Sequence, residues 1–188
     1  MPSIIEELII VVAVVVIGLG LFVYMIYYFL PTEALSIAEQ QANLVSSSST
    51  ISVGPLFISN GGSGSAVIEF YNPSMSGSVA ILAFVAPSSL EPSVGIIAPT
   101  STPTFTVYLP NGNKATSVEI TSPIYQINGK VIYSSPVTVY VVPMNTPVTV
   151  NIQGISSNSD ILVIWVLYNY GGYWFRVGYS FTGVPSTT

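Results

Sequence analysis

The chain has no histidine and no cysteine, and only 3 basic and 8 acidic side chains among 188 residues. Without histidine there is no imidazole base, no Ser-His-Asp arrangement and no imidazole metal ligand. Without cysteine there are no disulfides and no thiolate ligands, which nearly excludes zinc. Three cations cannot form the stripe that neutralises a phosphate backbone, so nucleic acid is not expected as a direct partner. Two carboxylates can hydrolyse a glycoside. However, Glu69, Glu91, Glu119 and Asp160 are scattered along the chain and read as single, solvated surface groups. No glycine-rich phosphate loop runs from a strand into a helix, and no acidic cluster offers calcium its oxygens. The chain does not read as an enzyme, and no catalytic residue, cofactor or metal is expected.

Charged residues make up 6% of the chain, against about 25% in an ordinary soluble protein, while 50% are hydrophobic. Its surface must be solvated by Ser, Thr, Asn, Gly and Tyr. Such a surface suits a protein that packs against copies of itself, carries sugars, or meets extreme pH. With few carboxylates to protonate, the fold is expected to be nearly indifferent to acid. Asn72-Pro73-Ser74 is the near match to an N-glycosylation site, and proline at its centre blocks it. Any sugar would sit on hydroxyls, with 46–50 and 100–104 as candidate patches. Solvated turns explain those patches equally well.

Residues Leu8 to Leu30 form one uncharged run, LIIVVAVVVIGLGLFVYMIYYFL. At 1.5 Å per residue it spans about 34 Å as a helix, enough to cross a hydrocarbon layer of about 30 Å. It is too long for the apolar core of a signal peptide. Glu6 and Glu7 precede it, and no Lys or Arg occurs before Lys114. Beyond it, Leu35, Ile37, Ala38, Ala42 and Leu44 or Val45 recur at helical spacing, with Pro31 compatible with a restart or kink and Thr32 as a candidate cap. The helix should end in the Ser46–Thr50 run, after about 40 residues. A helix that is apolar all round must be buried all round, in a bilayer or in a bundle of identical helices. Ala13, Gly18 and Gly20 would let neighbouring backbones come close.

A short polar start, acidic residues just ahead of an apolar helix, and a β-rich remainder together resemble a type IV pilin, particularly the archaeal kind, within the wider pilin and archaeal flagellin superfamily. The sharp part of the resemblance is MPSIIEELIIVVAVVVIGLGL. It implies a filament whose core is a bundle of N-terminal helices. It also implies a membrane-held store before assembly, an assembly platform, and a prepilin peptidase that removes a basic leader. No leader precedes the helix in this sequence, so under the resemblance the chain is the mature form. In that family a glutamate near the helix start pairs with a neighbour's N-terminal amine. The candidates for that role are Glu6 and Glu7, one or two places further on, and the alternative is a solvated first turn favoured by the helix dipole.

From Ile51 onward the period is that of strands: Ile51–Ile58, Ser65–Tyr71, Ser78–Ala86, Thr104–Leu109, Thr116–Ile120, Tyr125–Ile127, Val131–Tyr133, Val137–Val142, Val148–Ile152, Ile161–Tyr170 and Tyr173–Phe181. Turns are expected at Asn60-Gly61-Gly62, Asn111-Gly112-Asn113, Asn128-Gly129 and Gly171-Gly172. Ile161–Tyr170 is apolar on both faces, so it is central or is covered on its second face by the helix or a neighbouring subunit. The stretch Pro87–Pro103 reads as a long exposed connection or edge. The fold expected is α+β: a hydrophobic N-terminal helix over 1–49, then an all-β, immunoglobulin-like sandwich over 50–188. The function expected is that of a structural subunit in an extracellular, cell-surface, type IV pilus-like homopolymer for adhesion or cell–cell contact. Glu6, Glu7, Gly18 and Gly20 are its candidate assembly residues. The alternative is a monomeric, membrane-anchored ectodomain acting as a binding module.

Overall fold

The computed structural model describes residues 3–59, 62–155 and 159–183. Met1 and Pro2, where the mature start is expected, lie outside them, as do Asn60 and Gly61 of one expected turn. The chain forms two compact units, Met1–Ile37 and Ala38–Thr188.

The first unit is helix. Helix α1 (Ile4–Tyr24) passes through a π-helical segment, Met25–Phe29, into α2 (Leu30–Ser47), giving an unbroken helix from Ile4 to Ser47. Pro31 explains the π segment. Its ring would crowd the carbonyl one turn earlier and its nitrogen has no proton to donate, and a wider turn relieves both problems. The Leu30 N–H accordingly reaches back to Met25 O. Thr32 is not the cap of a second helix. The helix does not restart there, and the Thr32 hydroxyl donates to Tyr28 O at 2.7 Å, one turn back in the same helix.

The second unit takes in the last turns of α2, where Ala38, Ala42 and Val45 are fully buried. The serine run ends the helix by a definite mechanism. The Ser47 and Ser48 hydroxyls donate to Leu44 O, which also accepts from Ser48 N, and the Ser49 hydroxyl donates to Val45 O, so side chains supply donors to the carbonyls of the final turn.

The strands that follow form two sheets. One has β1 (Thr50–Val53), β3 (Ser63–Tyr71), β10 (Val148–Gln153) and β5 (Phe105–Tyr108) in that order, with β2 (Phe57–Ser59) also on β3. The other has the order β6 (Thr116–Ile120), β9 (Val137–Pro143), β4 (Ser78–Pro87), β11 (Asp160–Tyr170), β12 (Tyr173–Gly183), β7 (Ile124–Gln126), β8 (Val131–Tyr133). All pairings are antiparallel except that of β7 with β12. Gly171 and Gly172, with φ of 59° and 89°, make the left-handed two-residue turn that joins β11 to β12 in register.

The expected strand Ile51–Ile58 is two strands. Pro55 has no proton for a ladder, and the Leu56 N–H bonds instead to Gly183 O on the facing sheet. Beside it the Thr182 hydroxyl donates to Gly54 O, so this break fastens one sheet to the other.

Strand β11 is central, between β4 and β12. Alternate residues on the β12 side of this pair, such as Gly178, meet Ile51 of the other sheet, where an added Cβ would clash. Its second face is not left for a neighbour. The connection after β4 is largely exposed, as expected, but part of it folds back over this face: a 3₁₀ helix at Ser88–Ser93 is followed by buried Val94 and by Gly95, against Tyr179. The Gly95 carbonyl accepts from Arg176 Nη2 at 2.7 Å, and the guanidinium lies over Trp165 at 4.8 Å and over Tyr179 at 5.0 Å. Burial lowers the pKa of Arg176 from its ordinary value, while Tyr179 acts in the opposite sense. Trp165 Nε1 has no hydrogen-bond partner, and the cation over its ring shares that buried site.

Candidate functional site: the N-terminal helix

The helix begins with a cap. The Ser3 hydroxyl accepts from Glu6 N at 3.3 Å, and Ser3 N donates to Glu6 Oε2 at 3.0 Å, a reciprocal pair that satisfies two amides of the first turn. Of the two acidic assembly candidates, Glu6 is therefore occupied in starting its own helix. Glu7 stands beside it, exposed, where the positive end of the helix favours a carboxylate. The Ser-x-x-Glu spacing is a sequence signal of this cap that strand and helix periodicity does not register.

From Ile4 to Tyr24 no residue is buried, and the large apolar side chains from Ile4 to Leu30 are between 42% and 86% exposed. The exposure goes all the way round. Moving an aliphatic side chain fully out of water is worth roughly 1.5–3 kcal/mol, so this run leaves on the order of 30 kcal/mol unrealised in a lone chain in water. That exceeds the whole folding stability of a typical domain, about 5–15 kcal/mol. An apolar surrounding is thus a requirement of the segment, and by length and composition the helix can cross a membrane.

The texture of its surface is informative. Ile9, Val12, Ala13 and Val16 stand at i, i+3, i+4 and i+7, the four corners of a hole that accepts a side chain from a second helix. With Leu8 and Ile17 they frame an apolar groove of about 460 Å³. Gly18 and Gly20 have nothing within 4 Å of where a Cβ would be. Glycine inside a helix costs about 1 kcal/mol relative to alanine, and no contact among the described residues compensates for it. The two are about 200° apart around the axis, so they open notches on two different faces.

Elsewhere the sequence candidates do not converge. Glu69 is on β3, Glu91 on the 3₁₀ helix, Glu119 on β6 and Asp160 on β11. Among the described residues there is no group of three or more His, Cys, Asp or Glu side chains able to hold a metal. Asn72, at the blocked glycosylation motif, is fully buried and its amide donates to the Ser48 and Ser49 hydroxyls, so neither it nor those serines present a free group for a sugar. Comparison with protein-family models, curated proteins and solved structures finds no match for the chain.

Proposed function

We propose that this protein is the structural subunit of an extracellular type IV pilus-like filament, polymerising through its N-terminal helix and serving adhesion or cell–cell contact. The observation that carries the reading is the all-round apolar helix that continues, through a π segment instead of a break, well beyond membrane length to Ser47. A plain anchor needs only the first part. Notches on two faces and a ready-made hole suit a helix with neighbours on several sides, which a bundle supplies and a single dimer contact does not. In the membrane the helix is covered by lipid, and in the fibre by copies of itself. The apolar burial is conserved in the exchange, and many identical contacts hold the polymer without any one strong bond. The resemblance noted above adds a prepilin peptidase and an assembly platform as partners.

The second reading, a monomeric membrane-anchored ectodomain acting as a binding module, is favoured by the match between the run of about 34 Å and a bilayer core of about 30 Å. Shearing the surface of producing cells and imaging the released material separates the two. Thin fibres built mainly of this chain support the filament. A chain that stays entirely in the membrane fraction, with no fibres, supports the anchored ectodomain and rules the filament out.

A further inference from the structure

The outer face of the five-stranded sheet carries a groove. Strand register aligns one row across four strands: Phe57 pairs with Ser65, Ser65 with Asn151, and Asn151 with Thr106. Each of these alternates with buried neighbours (Leu56, Gly64 and Ala66, Val150 and Ile152, Phe105 and Val107), so all four side chains stand on the solvent side. Ser63 and Gln153 pair in the next row, and Tyr108 stands on the far strand. Together they line a groove of about 350 Å³, which spans about 14 Å, three strand spacings, from Phe57 to Thr106. Phe57, at one end, is 66% exposed.

The lining defines the ligand by elimination. Among the described residues it contains no charged side chain, so nothing in it neutralises phosphate, sulfate, a metal ion or a charged polymer, and it suits a neutral occupant best. Glu69, the acid on the same face of β3, lies two outward positions beyond Ser65 and outside the groove. Lys114, bridged to Tyr108, turns its ammonium onto the Tyr140 ring at 5.4 Å. What is left is a set of hydroxyls and carboxamides, which both donate and accept hydrogen bonds, flanked by two aromatic rings. Contact surfaces between proteins are depleted in serine and enriched in Met and Arg, as well as aromatics, at their centres; this groove shares the aromatics but is rich in serine and holds neither Met nor Arg. Neutral sugars present hydroxyls that need both donors and acceptors, and C–H faces that stack on an aromatic ring.

We infer that this groove binds a neutral oligosaccharide, with the Phe57 ring stacking on one sugar and Ser65, Asn151 and Gln153 holding the hydroxyls of the next. The site belongs to the β domain and does not depend on the helix polymerising.

The test uses the full chain dispersed in a sugar-free detergent, so its outcome is separate from that of the filament proposal. Binding is measured against an array of neutral oligosaccharides, with dextran and mannan as polymeric probes. The expected result is binding to at least one neutral saccharide, weakened about tenfold or more by Phe57→Ala and by Asn151→Ala. Val131→Ala, an exposed apolar position on β8, should leave it unchanged. Both key side chains are exposed, so an unchanged thermal midpoint verifies that the variants fold. Failure to bind any member of the array overturns the inference, as does binding that neither variant weakens. It is equally overturned if the variants bind no sugar differently from the parent but lose chain–chain association, which would make this face a contact between copies.

Discussion

Asn72 joins the end of the helix to the β domain, and replacing it should be costly in a way that depends on pH. Its side chain is fully buried. Nδ2 donates to Ser48 Oγ at 3.0 Å and Ser49 Oγ at 2.9 Å, and Oδ1 accepts from Ser74 N at 2.9 Å. Asn72→Ala removes three hydrogen bonds and leaves the Ser74 N–H short of a partner. At about 1 kcal/mol for each bond, the loss is about 3 kcal/mol. For a domain of this size that lowers the melting midpoint by about 6–12 °C, measured by the fluorescence of the buried Trp165 during thermal unfolding of the full chain in detergent. Asn72→Asp should be worse at neutral pH. The two serine hydroxyls already give their protons to Leu44 O and Val45 O, so they have none to offer a carboxylate that replaces the amide. Burial with only the Ser74 N–H left to donate to it raises the folded-state pKa of the introduced acid above its unfolded value. The folded state then binds more protons, so stability lost at neutral pH returns as pH falls through that raised pKa. A loss under about 1 kcal/mol for Asn72→Ala, or an Asn72→Asp deficit that does not shrink in acid, would refute the assigned network.

Further expectations follow from other parts of the molecule. Gly18→Ile and Gly20→Ile should leave the β domain's unfolding midpoint unchanged, since none of the described residues comes within 4 Å of a Cβ at either position, while each sharply reduces the yield of sheared fibres. Arg176→Ala should cost about 3 kcal/mol or more, because it empties the space between Trp165 and Tyr179 and unpins Gly95; urea unfolding, with partial proteolysis of the 87–103 connection, would report it. Between pH 7 and pH 2 the parent chain should lose less than about 2 kcal/mol, because it has only 8 acidic side chains. A steep acid transition in circular dichroism would contradict this.

Much of the fold was legible because hydrophobic periodicity states it directly: the unbroken apolar run, the amphipathic turns after it, and strands such as Thr116–Ile120 and Val131–Tyr133 with their intervening turns. The split at Pro55 was missed, because the alternation from Ile51 to Ile58 outweighed a residue that cannot donate to a ladder. The Ser3-Glu6 cap was missed as well, although its Ser-x-x-Glu spacing is a signal for it. Other features were not legible, because their partners are distant in sequence. Arg176 meets Gly95 across 81 positions and Asn72 meets Ser49 across 23, so the cover over β11 and the clamp on the helix end exist only once the chain is folded. The same holds for the outer row at Phe57, Ser65, Asn151 and Thr106, which depends on the register of four strands. What surrounds the apolar helix lies beyond any single chain, and only its requirement for cover can be read from the residues.

That requirement makes one measurement decisive. The chain has no native cysteine, so cysteines introduced together at Val14 and Val16, about 200° apart on the helix, report its neighbours against an empty background. Oxidation of surface material from cells producing the Val14→Cys, Val16→Cys chain should give a ladder of dimers, trimers and higher multimers, because helices in a bundle have neighbours on both faces. A product that remains monomer, or stops at dimer, would contradict a helix buried among its own copies.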